Sequence, residues 1–256
     1  METILVERRK DGVVTVTLNR PKKKNAINER MWDELLEVFS AIGESTTDRV
    51  MVLTGAADAF CSGADLSGGA DHRHQLQRMH HYNRVGLALH AIPKPTIAKV
   101  NGIAAGAGMN FALGCDLVVA SDRARFSEIF VKRSLSVDLG GSWLLPRLVG
   151  MHKAKELVLL GDILSAAEAE RLGVVNRVVP HEQLDAFVDE WARRLAAGPP
   201  LALAMSKRLL ANSSSMTLAE ALDAEAVAQS VNIASEDTRE GIGAWLQKRE
   251  PVFKGK

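Results

Sequence analysis

Two strongly apolar segments, each followed at once by a glycine-containing loop, limit the fold of this chain more than any other feature. The first, RVMVLTG (49–55), predicts a buried strand and leads into FCSGADL (60–66). The second, KPTIAKVNG (94–102), predicts another strand and runs into NGIAAGAGMNFALGCD (101–116). Strands that alternate with loops and helices in this way are typical of an α/β core, although periodicity does not give the strand order.

The beginning of the chain predicts a hairpin followed by an amphipathic helix. The β-rich runs ILVERR (4–9) and VVTVTL (13–18) flank Lys10-Asp11-Gly12, which is a turn signal between strands. The segment NERMWDELLEVFSAI (28–42) predicts a helix because its apolar residues recur at helical spacing. One face of that helix carries Met31, Leu35, Phe39 and Ile42.

After about Gly140 the sequence predicts mostly helices. Ser165-Ala-Ala-Glu168 and Thr217-Leu-Ala-Glu220 both fit the capping box, in which two side chains satisfy amides at the start of a helix. Gly198-Pro199-Pro200 interrupts this helical half. We therefore expect an α/β core that holds the functional site over residues 1–195, followed by a helical region over residues 196–256.

Composition and charge exclude several classes of protein. The 256 residues suffice for one substantial core, and 46% hydrophobic and 25% charged residues are ordinary for a globular protein. A net charge of +1 provides no field that attracts nucleic acid. No apolar run approaches the roughly 20 residues that span a bilayer, and no secretion signal precedes METILVERRK, so we expect a cytoplasmic protein. Cys61 and Cys115 suit a reducing compartment and are predicted to fill buried space.

The glycines of the second loop do not match the common phosphate-binding motifs. Met109, Asn110 and Phe111 follow them, so both G-x-G-x-x-G and the P-loop, which needs a Lys-Ser/Thr pair, are excluded. Close packing of a helix on a strand is one explanation for these glycines. The loop FCSGADL supports another, because two free amides that face one point form an oxyanion hole, which stabilises charge on a carbonyl oxygen.

Several motifs, in order along the chain, closely resemble the enoyl-CoA hydratase/isomerase (crotonase) superfamily. They are Asn19-Arg20-Pro21 with Asn25-Ala26-Ile27, then AFCSGADL, KPTIAKVNGIAAGAG, LPRLVG and ERLGVVNRVVP. The resemblance extends from about Leu5 to Lys254. It implies a spiral of ββα turns, a carboxyl-terminal helical region that assembles a homotrimer or a dimer of trimers, and a coenzyme A thioester as substrate without any cofactor.

By the same resemblance, the amides of Ala64 and Ala107 form the oxyanion hole. The lysines before Ala26 are implied to lie beside the adenosine and phosphates of coenzyme A, where a lysine acts as a point charge with long reach. Residues of the last helix are implied to reach the ligand site of a neighbouring subunit. The substrate-binding residues implied in this way are Lys22, Lys24, Asn25, Ala26, Ile27, Ala64, Asp65, Leu66, Gly106, Phe130, Trp245 and Lys248.

Hydratases of this family resemble one another in using two glutamates, and this chain has neither. The corresponding positions hold Asn110 and Phe130. One acid remains nearby: Asp138, before Gly140-Gly141, resembles the aspartate of isomerase members, in particular of the ring-1,2-epoxyphenylacetyl-CoA isomerase type. An apolar neighbour such as Phe130 is expected to raise the pKa of Asp138. Without the resemblance, Asp138 is better interpreted as the N-cap of the following helix.

The acids that remain predict the reaction. One carboxylate can take a proton from one carbon and return it to another, which is enough to move a double bond. We therefore expect an acyl-CoA isomerase with Asp138 as acid and base. One alternative is an enoyl-CoA hydratase in which Asp138, with or without Glu128, handles water, and another is a non-catalytic acyl-CoA-binding protein. For Glu128 itself, a solvated carboxylate at a helix start is the favoured interpretation.

Four histidines invite a metal site but lack the spacing for one. They are His72, His74, His80 and His81. Their spacing gives no compact ligand set with a cysteine or carboxylate partner. We expect them on a polar helix at the entrance for the acyl group.

Overall fold

Two sheets organise the computed structural model, which describes residues 1–67 and 74–256. The smaller sheet contains, in spatial order, β4 (Ala59–Cys61), β6 (Ile103–Ala105), β8 (Arg125–Ser127) and β9 (Leu164–Ser165). The larger sheet contains, in spatial order, β1 (Ile4–Arg8), β2 (Val13–Leu18), β3 (Val50–Gly55), β5 (Thr96–Val100), β7 (Leu117–Ser121) and β10 (Arg177–Val179). The predicted hairpin is confirmed, because β1 and β2 pair antiparallel, while the pairs from β2 to β10 are parallel.

Successive strands alternate between the two sheets and generate a spiral. The chain passes from β3 to β4, from β5 to β6 and from β7 to β8, so that each turn gives one strand to each sheet. Helix α2 (Gln75–Ala91) follows β4, and α3 (Ala107–Leu113) follows β6, which completes two ββα units. The predicted spiral of ββα turns is confirmed. Because β4, β6 and β8 pair in parallel, their carboxyl ends lie at one edge of the smaller sheet.

Three helices begin where the sequence signals predict. Helix α1 (Glu29–Glu44) follows Asn28, whose side-chain oxygen accepts a hydrogen bond from the Met31 amide at 3.0 Å, and its predicted apolar face is buried. Both predicted capping boxes are present. The other helices are α4 (Gly141–Val149), α5 (Met151–Leu160), α6 (Ala166–Arg171), α7 (Leu184–Ala196), α8 (Pro200–Ser213), α9 (Leu218–Ala234) and α10 (Glu236–Gln247).

The central strands of the larger sheet, β2, β3, β5 and β7, are buried on both faces, which explains their nearly continuous apolar character. On one face, side chains of β2, β3, β5 and β7 pack against the apolar stripe of α7. The opposite face belongs to the main core, where the strands meet α1 and α3. Trp32 of α1 stacks on Tyr82 of α2 with ring centroids 4.4 Å apart, and this contact holds α2 beside the core.

The carboxyl-terminal helices expose much of their apolar surface. Helices α8 and α9, both fully described, contribute no buried residue. Arg49 ties this region to the core, because its guanidinium donates to the backbone carbonyls of Gly198 and Phe253 at 3.0 and 3.3 Å. Over the described residues, no helix is both long and apolar enough to cross a membrane. The exposed apolar side chains of α8 and α9 include Leu210, Leu218, Leu222, Val227 and Ile233.

Candidate active site

The loop after β4 carries the first amide predicted for an oxyanion hole. Ala64 forms an isolated parallel bridge with Ile27. The Ile27 amide donates to the carbonyl of Gly63 at 2.9 Å, and the Ile27 carbonyl accepts from the amide of Asp65 at 2.8 Å. Because this bridge uses the groups on either side of Ala64, the Ala64 amide itself points away from Ile27. The loop lies against the start of α3, since a Cβ on Gly63 would be 3.8 Å from the amide nitrogen of Ala107.

The start of α3 carries the second predicted amide. Ala107 is the first residue of the helix, so its N–H has no acceptor within the helix. Gly106, just before it, has φ +53° and ψ −127°, which other residues rarely adopt, and its amide donates to the Ser127 carbonyl at 2.8 Å. Phe130 lies beside this turn, with a ring carbon 3.5 Å from the place of a Gly106 Cβ. The structure thus brings the loops of Ala64 and Ala107 together, and their oxyanion role stays a prediction.

One turn further along α3, Asn110 meets two acidic residues. Its side-chain nitrogen donates to the backbone carbonyl of Asp138 at 2.9 Å and lies 3.5 Å from Oε2 of Glu128. Asn110 and Glu128 are each only 1% exposed. Within the described chain, three buried oxygens of this cluster have no hydrogen-bond partner: Oδ1 of Asn110, Oε1 of Glu128 and Oδ1 of Asp138. Buried polar atoms are nearly always paired, so an unpaired group of this kind marks a candidate functional site.

Burial changes the proton affinity of both acids. Burial raises the pKa of Asp138 from its ordinary value of 3.8 to about 6. Burial also raises the pKa of Glu128 from 4.5 to about 8. The hydrogen bond from Asn110 lowers this pKa in part, and the negative charge of Asp138 raises it further. At neutral pH, Asp138 is therefore mostly ionised and Glu128 mostly protonated. The two groups have the opposite protonation states that a base and an acid require.

Two sequence-based interpretations of these acids are wrong. Glu128 is not a solvated carboxylate, because it follows the buried strand β8 and is enclosed beneath Asn110. Asp138 does not cap α4: the helix begins at Gly141, the preceding Gly140 has φ +86°, and no side chain bonds to its first amides. The burial of Glu128 was missed because FSEIF gives no helical or strand periodicity that would place a glutamate inside.

A cavity of about 470 Å³ opens beside the acid cluster, between α2, α3 and α4. Asn110 lines it together with Leu139 and Gly140, which directly follow Asp138. Most of its wall is apolar, and near its end His90 and Trp143 form an edge-to-face pair with ring centroids 5.7 Å apart. The other lining residues are Asn83, Gly86, Leu87, Leu89, Phe111, Gly114 and Leu144. An apolar cavity with few polar groups, next to titratable residues, is the usual form of a small-molecule site.

Comparison with known proteins identifies the family. The family model described as Enoyl-CoA hydratase/isomerase matches residues 8–256. The chain belongs to this family. It is an enzyme with the crotonase-type fold, and the resemblance seen in its motifs is confirmed.

Relatives in this family are named both as isomerases and as hydratases. The chain is 40% identical to the 1,2-epoxyphenylacetyl-CoA isomerase of Escherichia coli (strain K12), over 100% of both chains. It is 36% identical to the 2,3-dehydroadipyl-CoA hydratase of the same organism, over 98% of this chain and 99% of the relative. Among solved structures, the enoyl-CoA hydratase from Bacillus anthracis superposes with a TM-score of 0.96 at 32% identity, over 100% of both chains.

Five of the residues predicted to bind coenzyme A lie in the turn between β2 and α1. Lys22 and Lys24 are exposed there, whereas Ala26 is buried with Ile27. Asn25 is also buried, and its side chain is fully used: it accepts from the Arg20 amide at 3.0 Å and donates to two backbone carbonyls, one just after β3 and one at the start of β4. The side chain of Asn25 therefore holds the turn in place and leaves only its backbone to a ligand.

The adjacent loop is fixed by an ion pair. Asp65 bonds to the guanidinium of Arg20 at 2.8 Å and to the hydroxyl of Ser67 at 2.6 Å, and these contacts lower its pKa to about 2. Leu66 is two-thirds exposed, at 67%. Asp65 thus orients the loop of Ala64, and Leu66 is available to a ligand.

The last helix carries two of the predicted residues away from the cavity. Trp245 is 77% exposed and Lys248, at the end of α10, is also exposed. Neither lines the cavity described above. Their predicted contact with a neighbouring subunit's ligand stays a prediction.

His74, His81 and the two cysteines have ordinary structural environments. His74 caps the start of α2, and His81 is buried with its Nε2 atom 2.8 Å from Asp33, while His72 lies outside the described residues. The described parts of the chain hold no cluster of three residues suited to a metal ion. Cys61 and Cys115 are both buried, as predicted, and burial raises the pKa of each thiol to about 12.

Proposed function

We propose that this protein moves a carbon–carbon double bond in an unsaturated acyl-CoA, with Asp138 as the group that takes the α-proton. The observation that carries the proposal is the Asp138 carboxyl group, whose buried Oδ1 atom has no partner among the described residues. Its pKa of about 6 suits a base that works near neutral pH. The positions at which family hydratases are expected to carry glutamates hold Asn110 and Phe130 instead.

Helix α3 sets the distance between the thioester and the acid cluster. Ala107 and Asn110 are three residues apart on this helix, which corresponds to a rise of about 4.5 Å. That length is comparable with the first few carbon–carbon bonds of an acyl chain. A thioester oxygen at the Ala64 and Ala107 amides would therefore bring the α-carbon and the carbons after it level with Asn110.

The proposed reaction begins with removal of a proton from C2 of a 3-enoyl-CoA by the Asp138 carboxylate. The electrons of that C–H bond delocalise onto the thioester oxygen, and the amides of Ala64 and Ala107 stabilise the resulting enolate. Protonation at C4 then restores the carbonyl and leaves the double bond between C2 and C3. The raised pKa of Asp138 favours the first step, because a stronger base gains more from taking the proton.

The acyl group is assigned to the cavity between α2, α3 and α4. Its largely apolar wall suits a hydrocarbon chain or ring, and Phe111 and Trp143 offer aromatic faces. The name of the Escherichia coli relative, 1,2-epoxyphenylacetyl-CoA isomerase, supports an acyl group that bears a ring. The exposed Lys22 and Lys24 are assigned to the phosphates of coenzyme A, and the reaction as written needs no cofactor.

We assign residues 196–256 to a trimerisation region. The proposal is supported by the exposed apolar side chains of α8, α9 and α10, since large apolar patches on a chain mark protein contacts. A charge in the middle of such a contact should disrupt it. Leu218→Glu is expected to shift the molecular mass in solution from trimer or hexamer to monomer, measured by light scattering, and an unchanged mass would contradict the assignment.

Hydration of a 2-enoyl-CoA is the second candidate reaction. One observation favours it: the cluster around Asn110 contains a second buried carboxyl group, Glu128, and addition of water commonly uses an acid and a base. Relatives named as hydratases also support it.

A deuterium experiment distinguishes these candidates. The protein is incubated in D2O with a 3-enoyl-CoA and, separately, with a 2-enoyl-CoA, and the products are followed by mass spectrometry. The Asp138→Asn variant is run in parallel, because it keeps the shape of the side chain without a base. We expect deuterium uptake with double-bond migration in the parent, and neither in the variant.

The other outcomes assign a different function. Gain of heavy water on the 2-enoyl substrate without migration of the 3-enoyl substrate would identify a hydratase. Tight binding of both substrates without any deuterium uptake would identify a non-catalytic acyl-CoA-binding protein. Migration that persists at the parent rate in Asp138→Asn would remove Asp138 from the mechanism.

A further inference from the structure

We infer that Glu128 is a second catalytic residue, which donates a proton to the far end of the migrating double bond. The inference rests on the proposed function, in which Asp138 takes the proton from C2. In the simpler mechanism, a single carboxylate removes one proton and returns it at another carbon. The inference assigns these two tasks to separate groups, a base and an acid. Both groups lie at positions other than those expected for the two family glutamates, which hold Asn110 and Phe130 here.

The fold places Glu128 beside the predicted oxyanion loop. It directly follows Ser127, the last residue of β8, whose carbonyl accepts from the Gly106 amide at 2.8 Å. Gly106 in turn precedes the Ala107 amide. The register between β6 and β8, with Ala105 opposite Ser127, therefore fixes the backbone of Glu128 next to the place assigned to the thioester.

Asn110 connects the two acids. Its side-chain nitrogen lies 2.9 Å from the Asp138 carbonyl oxygen and 3.5 Å from Oε2 of Glu128. Asn110 also lines the cavity assigned to the acyl group. The Glu128 carboxyl group and the backbone of Asp138 thus meet at one side-chain nitrogen of a residue that lines the cavity, and the two carboxyl groups are close enough for the charge of Asp138 to act on Glu128. An acid and a base that act on nearby carbons of one substrate need such proximity.

A second buried glutamate shows what a structural role looks like in the same chain. Glu34 is 2% exposed, and its carboxylate accepts from the Glu2 and Thr3 amides, the Thr3 hydroxyl and the Arg30 guanidinium at 2.7–2.9 Å. These contacts lower its pKa to about 2. Glu128, by contrast, has the one long contact to Asn110, and its Oε1 atom has no partner in the described chain. A purely structural role does not explain a buried carboxyl left unsatisfied in this way.

No cation of the described chain forms an ion pair with Glu128. Lys132, from the short 3-10 turn that follows it, lies 3.7 Å from Asp162, and both side chains are at least half exposed. The titratable group that acts on Glu128 is Asp138, whose negative charge opposes its ionisation. Burial and this charge together keep Glu128 protonated at neutral pH, so it holds a proton that it can give.

The proton balance of the reaction is complete with these two groups. Asp138 takes the proton from C2, which leaves the enolate. The enolate electrons then form the C2=C3 double bond. The electrons of the former C3=C4 bond form a new C–H bond at C4 with the proton that Glu128 donates. One C–H bond breaks and one forms, and no oxidant or reductant is needed. Each turnover leaves Asp138 neutral and Glu128 ionised, and a proton passing from Asp138 to Glu128 through water restores the starting state.

The test compares Glu128→Gln with Glu34→Gln as a matched control, because each removes one buried carboxyl. Two rates are measured: migration of a 3-enoyl-CoA, and exchange of the C2 protons of a saturated acyl-CoA in D2O, which requires Asp138 alone. For Glu128→Gln we expect migration to fall roughly 100- to 10,000-fold, which is the range for loss of a general acid, while exchange continues at close to the parent rate. Glu34→Gln is expected to keep both rates.

The pH dependence of migration provides an independent readout. In the parent, the rate should rise with pH through about 6, as Asp138 ionises, and fall above about 8, as Glu128 loses its proton. In Glu128→Gln, the pH profile of the residual migration rate should still rise near pH 6 but should no longer fall near pH 8. A structural defect would lower the rate without removing one limb.

Several results would overturn the inference. One is migration by Glu128→Gln at the parent rate, and another is an alkaline limb that survives in this variant. Loss of exchange together with migration, in a folded variant that still binds acyl-CoA, would show that Glu128 positions Asp138 and donates no proton. If Glu128→Gln fails to fold, Glu128→Met, which fills similar space and cannot donate a proton, is used instead, and migration at the parent rate in that variant would contradict proton donation. If the parent shows neither migration nor exchange, the proposed function fails, and the inference fails with it.

Discussion

Replacing Glu128 by glutamine should stabilise the folded protein, and increasingly so as the pH rises. In the unfolded chain this carboxyl ionises near its ordinary pKa of 4.5, whereas in the folded protein it stays protonated up to about 8. Between these values the unfolded state binds fewer protons, so the free energy of unfolding falls with rising pH. At about 1.4 kcal/mol per pH unit, the loss is about 3 kcal/mol at pH 7 and about 5 kcal/mol above pH 8. Glutamine does not ionise and avoids this loss.

Urea unfolding of parent and variant, at one fixed protein concentration between pH 4 and pH 9, measures the effect. The difference in unfolding free energy should be constant near pH 4 and grow in favour of the variant up to about pH 8. Asp138 is present in both proteins, so its own titration largely cancels. Glu34→Gln serves as the control. The pKa of Glu34 is lowered to about 2, so its stabilising contribution is fully present above pH 4.5. This variant should therefore be less stable than the parent by an amount that does not change with pH above 4.5. A difference for Glu128→Gln that does not change between pH 5 and pH 8 would refute the reasoning.

Three further predictions concern packing, capping and thiol reactivity. Gly108→Ala should strongly lower the melting temperature, because its Cβ would stand 2.2 Å from the Cys61 carbonyl oxygen, whereas Gly243→Ala, with no atom within 4 Å, should raise it slightly. Asn28→Ala should cost about 1 kcal/mol of unfolding free energy in urea titrations, since it removes the cap of α1; no measurable loss would contradict the cap's importance. Cys61 and Cys115 should resist thiol reagents at pH 8 in the folded protein and react on unfolding, because both are buried and their pKa values are about 12; reaction of either in the native state would show otherwise.

The sequence predicts the local structure well, because the signals for it lie within a few residues. The spacing of Met31, Leu35, Phe39 and Ile42 predicts the buried face of α1, and Asn28 predicts where that helix starts. The capping boxes and the hairpin at Gly12 are local in the same sense. Strand order is different, since the pairing of β7 with β10 joins residues far apart in the chain. Only the resemblance to a known family predicted the spiral.

The site was predictable in its backbone and less so in its acids. The loops of Ala64 and Ala107 were identified from glycine-containing motifs, and the structure brings them together. Glu128 was misjudged because its burial depends on β8 and Asn110, which its neighbours in sequence do not indicate. The N-cap interpretation of Asp138 is wrong for a local reason: the left-handed Gly140 separates Asp138 from α4. Cytoplasmic location and the boundary at residue 195 stay predictions.

The spiral supplies the parts of this site from different turns, and this arrangement makes the site easy to diversify. In the proposed site, the first two turns contribute the main-chain amides of Ala64 and Ala107, which only a substitution by proline would remove. The acids Glu128 and Asp138 come from the chain after β8, in the third turn. By the proposed mechanism, mutation can therefore relocate or delete a carboxyl group while the amides assigned to the thioester oxygen are inherited unchanged. A lineage built on this frame can explore new reactions by single substitutions, without first losing the ability to stabilise an enolate.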